Sequence, residues 1–496
     1  MDKLKKFLFN YWPLLLILAV TGFMLLFRLG RDSFWDWDEC IYASYAKTMK
    51  VAGNWLTNQW NGSPALEKPP GYMWIMQIPF STTINEFSAR LPSVIAALAL
   101  LAAVYVFSKK YFSKHVAILS TLIMLAANLL VVYFIRVNTD IVFTLLIFLG
   151  FYFWIKSLSK NNASYWAGLF FGASVMMKGL SVVPFLVAIF ISIFIDFNKT
   201  KLVNFLKLIG ILLLAIAPWH IYEYLTYGQR FIQVYFVENL IQKINNPVEF
   251  HFGGRLFYLT LISKDFLPWI FALAILPLFY LINIKKFLTL KSFTQEIKRQ
   301  QLLLTVILMI ILPLISITRA ATKISWYAIP LYPFIAIYLA CSIDLLLKQI
   351  NNKKFSRILY YCFVLFIAIF AFKVIYTETQ FIRSQANISP RNEIAMISKN
   401  YSRGTLDYLV QFSERRARET LAPNLYTSTT FVYGGNSCAV YYSHKKINYY
   451  YSTNNFVQRV NQGKGLYLVE NGDLHFVQNL PIKTLYHNSD FTLFEN

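Results

Sequence analysis

Charge is scarce in this chain. Only 14% of its 496 residues are Asp, Glu, Lys or Arg, against 57% hydrophobic and 18% aromatic, and mean hydropathy is +0.47. A soluble protein of this length needs far more polar surface, so a polytopic membrane protein is expected. Acids are scarcer than bases, 24 against 47, which leaves a net charge of +23. In a soluble chain that excess would suggest nucleic acid. Here the lysines punctuate apolar runs, and the positive-inside rule accounts for them with no nucleic-acid partner. The four cysteines fit no metal-ligand spacing. Cys341 and Cys362 sit in apolar runs and read as small buried hydrophobes, while Cys40 and Cys438 fall on one side of the membrane, where a disulfide can form. The chain also lacks a glycine-rich phosphate loop and a dinucleotide fingerprint, so ATP or nucleotide-sugar chemistry has no visible home. No repeats or low-complexity tracts are evident.

What is present is a series of apolar runs of spanning length. The first begins behind Lys3, Lys5 and Lys6 and lacks the short core and small-residue cleavage site of a signal peptide, so it reads as a retained span. Spans are expected at 11–28, 87–108, 114–134, 139–156, 163–178, 180–197, 203–224, 264–284, 300–318, 325–347 and 356–376. With the N-terminus in the cytoplasm, every short loop on that side is basic: Lys109, Lys110 and Lys114; Lys156 and Lys160; Lys199, Lys201 and Lys207; Lys285, Lys286, Lys291, Lys298 and Arg299; Lys348, Lys353, Lys354 and Arg357. The opposite orientation has no such pattern. The outer side then holds the stretch 30–86, the turn Arg136–Asp140, Lys178, the loop 225–263, the segment Arg319–Ser325 and the tail. Costly polar groups thus collect on one face.

Two domains are expected: a membrane domain over 1–377 and a soluble extracytoplasmic α+β domain over 378–496. In the tail, LDYLVQF, NLYTSTTFVY, AVYYSHKKINYYY, GLYLVE and FTLFE read as strands, with a helix near 391–400. The outer stretch 30–86 reads as amphipathic helices lying on the membrane. Asp38, Tyr42, Tyr45 and Met49 share one helical face, Pro69-Pro70 marks a helix boundary, and Trp74 to Phe80 is too short to span.

Several outer groups can do chemistry. Asp38 and Glu39 suit a general base that deprotonates or orients an acceptor, and Asp38 equally suits a helix N-cap. Asp140 can cap the span behind it or bind a sugar. Lys68, Lys178, Lys323, Arg319 and Arg255 suit a lipid-carrier phosphate, against the plainer role of headgroup anchoring. Glu67 and His251 are two ligands from distant loops, a weak basis for a divalent cation; an ordinary surface histidine satisfies the pattern as well.

Taken together, Asp38-Glu39, Asn61-Gly62, Glu67-Lys68-Pro69-Pro70 and Ser88-Ala89-Arg90-Leu91-Pro92-Ser93 resemble the lipid A aminoarabinose transferases and their bacterial relatives. These are related to protein O-mannosyltransferases within the GT-C superfamily. Arg136–Asp140, Met177-Lys178-Gly179 and Thr322 to Pro330 agree, so the resemblance covers about residues 1–377. It implies a GT-C fold of about 11–13 transmembrane helices in the inner (plasma) membrane of a bacterium. Its expected activity is transfer of a sugar from a polyprenyl-phosphate donor to a lipid, glycan or protein acceptor of the cell envelope, on the periplasmic or extracellular side. Carried over, Asp38 and Asp140 are site carboxylates, Lys68 contacts the carrier phosphate with Lys323 and Tyr327 near it, and Glu67 and His251 sit where relatives hold a metal. Relatives acting on lipid A usually have arginine where this chain has Ile41, so lipid A is not assigned as acceptor. Inverting single displacement is the expected mechanism. The rival readings are a protein O-mannosyltransferase and a transporter or flippase for lipid-linked sugars. The span interiors carry almost no charge and show no paired repeat, which counts against transport.

Overall fold

The long apolar runs fold as helices, because a backbone shielded from water must close its hydrogen bonds within the segment. The computed structural model describes residues 2–27, 29–35, 37–160, 162–248, 251–267, 269–274, 294–381, 388–412, 415 and 436–496. The chain divides into two units: residues 1–28, 91–221 and 253–383 form one, and 29–90, 222–252 and 384–496 form the other.

The first eight helices in chain order are α1 (Asp2–Leu26), α2 (Asp38–Ala52), α3 (Gly71–Phe80), α4 (Glu86–Tyr111), α5 (Lys114–Leu125), α6 (Asn128–Phe134), α7 (Thr139–Ser157) and α8 (Ala163–Lys178). They are followed by α9 (Val183–Ile193), α10 (Lys199–Tyr227), α11 (Phe257–Asp265), α12 (Thr294–Arg319), α13 (Tyr332–Gln349) and α14 (Lys353–Phe381). Among the described residues eight helical runs are long and apolar enough to cross a membrane, or nine with one bent pair. The bent pair is α5 and α6, which meet at 76°, so the expected straight span 114–134 is broken near Ala126. The expected span 264–284 lies mostly outside the described residues.

One of the eight runs, Ala163–Asp196, has 34 residues. At 1.5 Å per residue it would reach about 51 Å, well beyond a hydrocarbon core of about 30 Å. Packing within the first unit resolves this. A Cβ on Gly168 would fall 2.5 Å from the Leu208 carbonyl oxygen, and one on Gly172 would fall 2.8 Å from the Ala215 Cβ. Residue numbers rise together along both helices, so α8 and α10 run parallel. The chain must therefore come back between them, and α9 is the return pass. Phe185 at its start meets Phe143 edge to face, 6.4 Å between ring centres, and Phe190 lies 5.3 Å from Phe205 near the start of α10. The Asn204 amide donates to the Ser157 carbonyl at 3.0 Å, which ties the end of α7 to the start of α10. Lys178-Gly179 thus separates two passes, as expected from sequence, with Gly179 at φ +62° making the break.

In the second unit, α2 and α3 flank a short hairpin of β1 (Asn58–Trp60) and β2 (Ser63–Ala65). Its turn is Asn61-Gly62, at φ +49° and +82°, the pair that a tight right-twisted hairpin favours. The tail forms a five-stranded sheet from β3 (Thr405–Leu409), β4 (Lys446–Tyr450), β5 (Leu466–Glu470), β6 (Lys483–His487) and β7 (Phe491–Glu495), in the order β4-β3-β5-β7-β6. Strands β4, β3 and β5 are parallel, while β7 and β6 add antiparallel. Helices α15 (Pro390–Ser398), α16 (Ser437–Ser443) and α17 (Thr453–Asn461) cover it. One core joins Ile394, Leu406, Tyr408, Ala439 and Leu468 on one face, and another joins Phe456, Val460, Tyr467 and Phe494 on the other.

The expected strand over AVYYSHKKINYYY is only half strand. Its first part is α16, started by the Asn436 side chain, which accepts from the Ala439 N–H at 3.0 Å. Local capping there overrides the β-preference of Val and Tyr. Strand β6 was not expected, and NLYTSTTFVY lies outside the described residues. Cys40 of α2 and Cys438 of α16 form a disulfide, with Cα atoms 5.0 Å apart and 398 residues between them in sequence.

Candidate active site

The second unit gathers its polar groups around the start of α2. Trp37 precedes the helix at φ +68° with no side-chain cap, a backbone setting that costs free energy for a residue with a bulky side chain. Its N–H donates to the Ser437 hydroxyl at 2.7 Å. Asp38 and Glu39 then fall in the first turn, where the helix dipole favours negative charge.

The two carboxylates have different surroundings. Glu39 is buried and accepts from the Trp35 N–H at 2.8 Å and from Arg90 through both oxygens, at 3.0 and 2.9 Å. Arg90 spends its other donors on the carbonyls of Leu29, Asp32 and Ser33, so this buried pair closes the loop before α2. Asp38 is half-buried and within electrostatic reach of Lys68. The Lys68 ammonium donates to the Tyr42 hydroxyl and stands 4.5 Å from the centre of that ring. Burial works against its charge, but Tyr42, Asp38 and Glu67 outweigh burial and hold its pKa above the ordinary lysine value. Lys68 is therefore a cation at neutral pH. The Asn58 amide donates to the Lys68 carbonyl at 2.8 Å, fixing the backbone, and Pro69-Pro70 lead into α3. Asp38 and Tyr42 are one helical turn apart, which is how α2 presents a carboxylate beside a phenol-bound ammonium.

Glu67 is buried and accepts from the Tyr45 hydroxyl. The Nδ1 atom of His251 lies 3.2 Å from the Val248 carbonyl. Among the described residues no group of three or more His, Cys, Asp or Glu side chains is arranged to hold a metal ion. Glu67 and His251 alone make an incomplete donor set for a metal ion.

In the first unit, Asn138 caps α7, its side chain accepting from the Asp140 N–H at 2.7 Å. Asp140 is therefore not the cap. Its buried carboxylate pairs with the Lys178 ammonium at the end of α8, which places both at one end of the α7–α8 hairpin. The same ammonium stands 4.5 Å from the centre of the Tyr327 ring. Tyr327 lies in the 3₁₀ segment Ser325–Leu331. Lys323 is occupied differently: it donates to the carbonyls of Ile317, Thr318 and Ala320, which uses all three of its N–H groups at the end of α12. Gly253 packs on its stem, where a Cβ would fall 2.7 Å from the Lys323 Cγ.

The structure thus brings together Asp38, Glu67 and Lys68 in one unit, and Asp140, Lys178 and Tyr327 in the other. Sequence reasoning did not single out Arg90, Tyr42 or Tyr45 as partners of these groups. For the tyrosines the signal was there, since they share the face of α2 that begins at Asp38. For Arg90, 51 residues from Glu39, the signal was only its place in the Ser88–Ser93 motif, which does not name a partner.

Residues 67–222 match the family model of dolichyl-phosphate-mannose-protein mannosyltransferases. An uncharacterized Aquifex aeolicus protein is 26% identical over 70% of this chain. The undecaprenyl phosphate-alpha-4-amino-4-deoxy-L-arabinose arabinosyl transferase of Aeromonas hydrophila is 27% identical over 67%. These matches take in 66% and 60% of the relatives' own length, short of two thirds. Among solved structures, ArnT from Cupriavidus metallidurans superposes with a TM-score of 0.72 in the apo state and 0.68 bound to undecaprenyl phosphate. Each match covers 97% of both chains at 14% identity. The Archaeoglobus fulgidus oligosaccharyltransferase gives 0.52 over 81% of this chain and 63% of its own. The chain is an integral membrane protein with the GT-C fold. Within that fold it resembles the lipid A aminoarabinose transferases.

Proposed function

We propose that this chain transfers a sugar from a polyprenyl-phosphate carrier to an acceptor of the cell envelope. The observation that carries the reading is the pairing of a charged Lys68, held on Tyr42, with the neighbouring carboxylate of Asp38. A phosphate leaving group gains negative charge as its bond to the sugar breaks, and a fixed ammonium stabilises that charge. A carboxylate at the same place takes the acceptor's proton. The step balances as a single displacement. The acceptor oxygen or nitrogen bonds to the anomeric carbon, the carbon–oxygen bond to the carrier phosphate breaks, the proton goes to Asp38, and the configuration inverts. Glu39, tied to Arg90, holds the loop that presents Asp38. Asp140, Lys178 and Tyr327 form a second polar group suited to a sugar or phosphate, and Lys323 serves the end of α12.

The relatives support the donor class: one is named for undecaprenyl phosphate and a solved structure contains that lipid. The basic loops support an N-terminus in the cytoplasm of a bacterial inner membrane. The Cys40–Cys438 disulfide supports an oxidising, periplasmic setting for α2 and the tail.

The test is to incubate purified full-length protein with polyprenyl-phosphate sugars and, separately, lipid, glycan and Ser/Thr-peptide acceptors. Acceptor-dependent release of free polyprenyl phosphate with an inverted product is expected. A panel of donors that yields no free carrier with any acceptor contradicts the reading.

A further inference from the structure

Away from Asp38, the second unit holds a group of basic side chains without acidic partners. Lys47 of α2 is half-buried, donates to the Tyr441 carbonyl at 2.8 Å and stands 4.7 Å from the Tyr441 ring. Lys399 follows the last residue of α15 and is exposed. His444 follows α16 at φ +57° and is exposed beside them. The three side chains are near enough for their charges to interact: Lys399 acts on Lys47, and both act on His444. Lys445 adds a fourth basic residue, donating to the carbonyls of Tyr401 and Arg403. Among the described residues, none of these four meets an acidic side chain. Helix C-termini account in part for Lys399 and His444, since cations are favoured there. They do not account for Lys47, which sits inside α2 and keeps two N–H donors beyond the one that Tyr441 takes.

We propose that Lys47, Lys399 and His444 form a binding site for a phosphate-bearing anion, distinct from the Asp38–Lys68 group. Two lysines and a neutral imidazole from three helices converge there, and the disulfide between Cys40 and Cys438 fixes two of those helices together. Two sources carry the chemistry, a free phosphate compound or the headgroup of an anionic lipid. The proton balance gives the sign of the pH effect. Burial first and Lys399 second lower the Lys47 pKa to about 8; burial, then Lys47 and Lys399, lower that of His444 to about 4. A bound anion favours the charged forms, so binding takes up protons and strengthens as pH falls through about 8.

The experiment uses the full chain and needs no sugar donor, so it succeeds or fails independently of transfer. In detergent, the melting temperature is followed against inorganic pyrophosphate at pH 6 and pH 9. In nanodiscs, it is compared between phosphatidylglycerol and phosphatidylcholine. The variants are Lys47→Gln with Lys399→Gln, Lys47→Arg, and Lys483→Gln as an exposed control that pairs with Glu495. Without ligand, the double variant is expected to melt no lower than the parent, because repulsion is removed. Its affinity for the anion is expected to fall by roughly tenfold or more, while Lys47→Arg and Lys483→Gln retain it. A response to pyrophosphate assigns the free compound, and a response confined to phosphatidylglycerol assigns the headgroup. An equal response in the double variant, or none in any arm, overturns the proposal.

Discussion

Lys68 and Lys178 are both held against tyrosine rings, at 4.5 Å in each case, yet they carry their charge in opposite ways. Lys178 is joined directly to a buried carboxylate, Asp140, and the pair is close to neutral. Lys68 is bonded to a phenol and only faces its carboxylates, so its positive charge stays open to a ligand. The helix starts differ as well. Helix α7 is capped by Asn138, whereas α2 begins from Trp37 with left-handed backbone and no side-chain cap. Strain and a cation hydrogen-bonded to a phenol, with its carboxylates at a distance, occur together in the second unit, and a capped helix with a closed ion pair occurs in the first. Strained backbone clusters at functional sites, which fits the role proposed for the Asp38–Lys68 group.

Substitutions can break this contrast. The largest effect is expected from Lys68→Met, which should lower transfer by about 10²–10³-fold by removing the cation at the leaving group, measured as release of carrier lipid. Asp140→Asn should act first on folding. It leaves Lys178 without its buried partner and should cost about 3–5 kcal/mol, read by denaturation in detergent, with Asp140→Asn plus Lys178→Met recovering part of the loss. Reducing the disulfide, or Cys438→Ser, should cost about 2–4 kcal/mol in the second unit and leave α7 and α8 intact by hydrogen exchange. The smallest effect is Asn138→Ala, about 1 kcal/mol from a lost cap, seen as a lower melting temperature.

Much of the first unit was legible in advance because its code is local. Apolar runs, basic loops and the Lys178-Gly179 break each report on neighbouring residues, and the return of α9 agrees with the split read there. The bend between α5 and α6 was hidden, since Ala126-Ala127 carries no proline or glycine to mark it. In the second unit the helical face from Asp38 to Met49 and the Asn61-Gly62 turn were readable for the same local reason. The Glu39–Arg90 pair and the Cys40–Cys438 bond join residues 51 and 398 positions apart, and no periodic pattern encodes such a meeting. Lys323 shows the converse: its sequence context suits a phosphate, and only the geometry shows its donors spent on three carbonyls.

Asp38 is proposed to receive the acceptor's proton. Purified Asp38→Asn protein, compared with the parent under saturating donor and acceptor, tests it most directly. Retained binding of polyprenyl phosphate with turnover lowered by about 10²–10⁴-fold is the expected result. Turnover equal to that of the parent would contradict it.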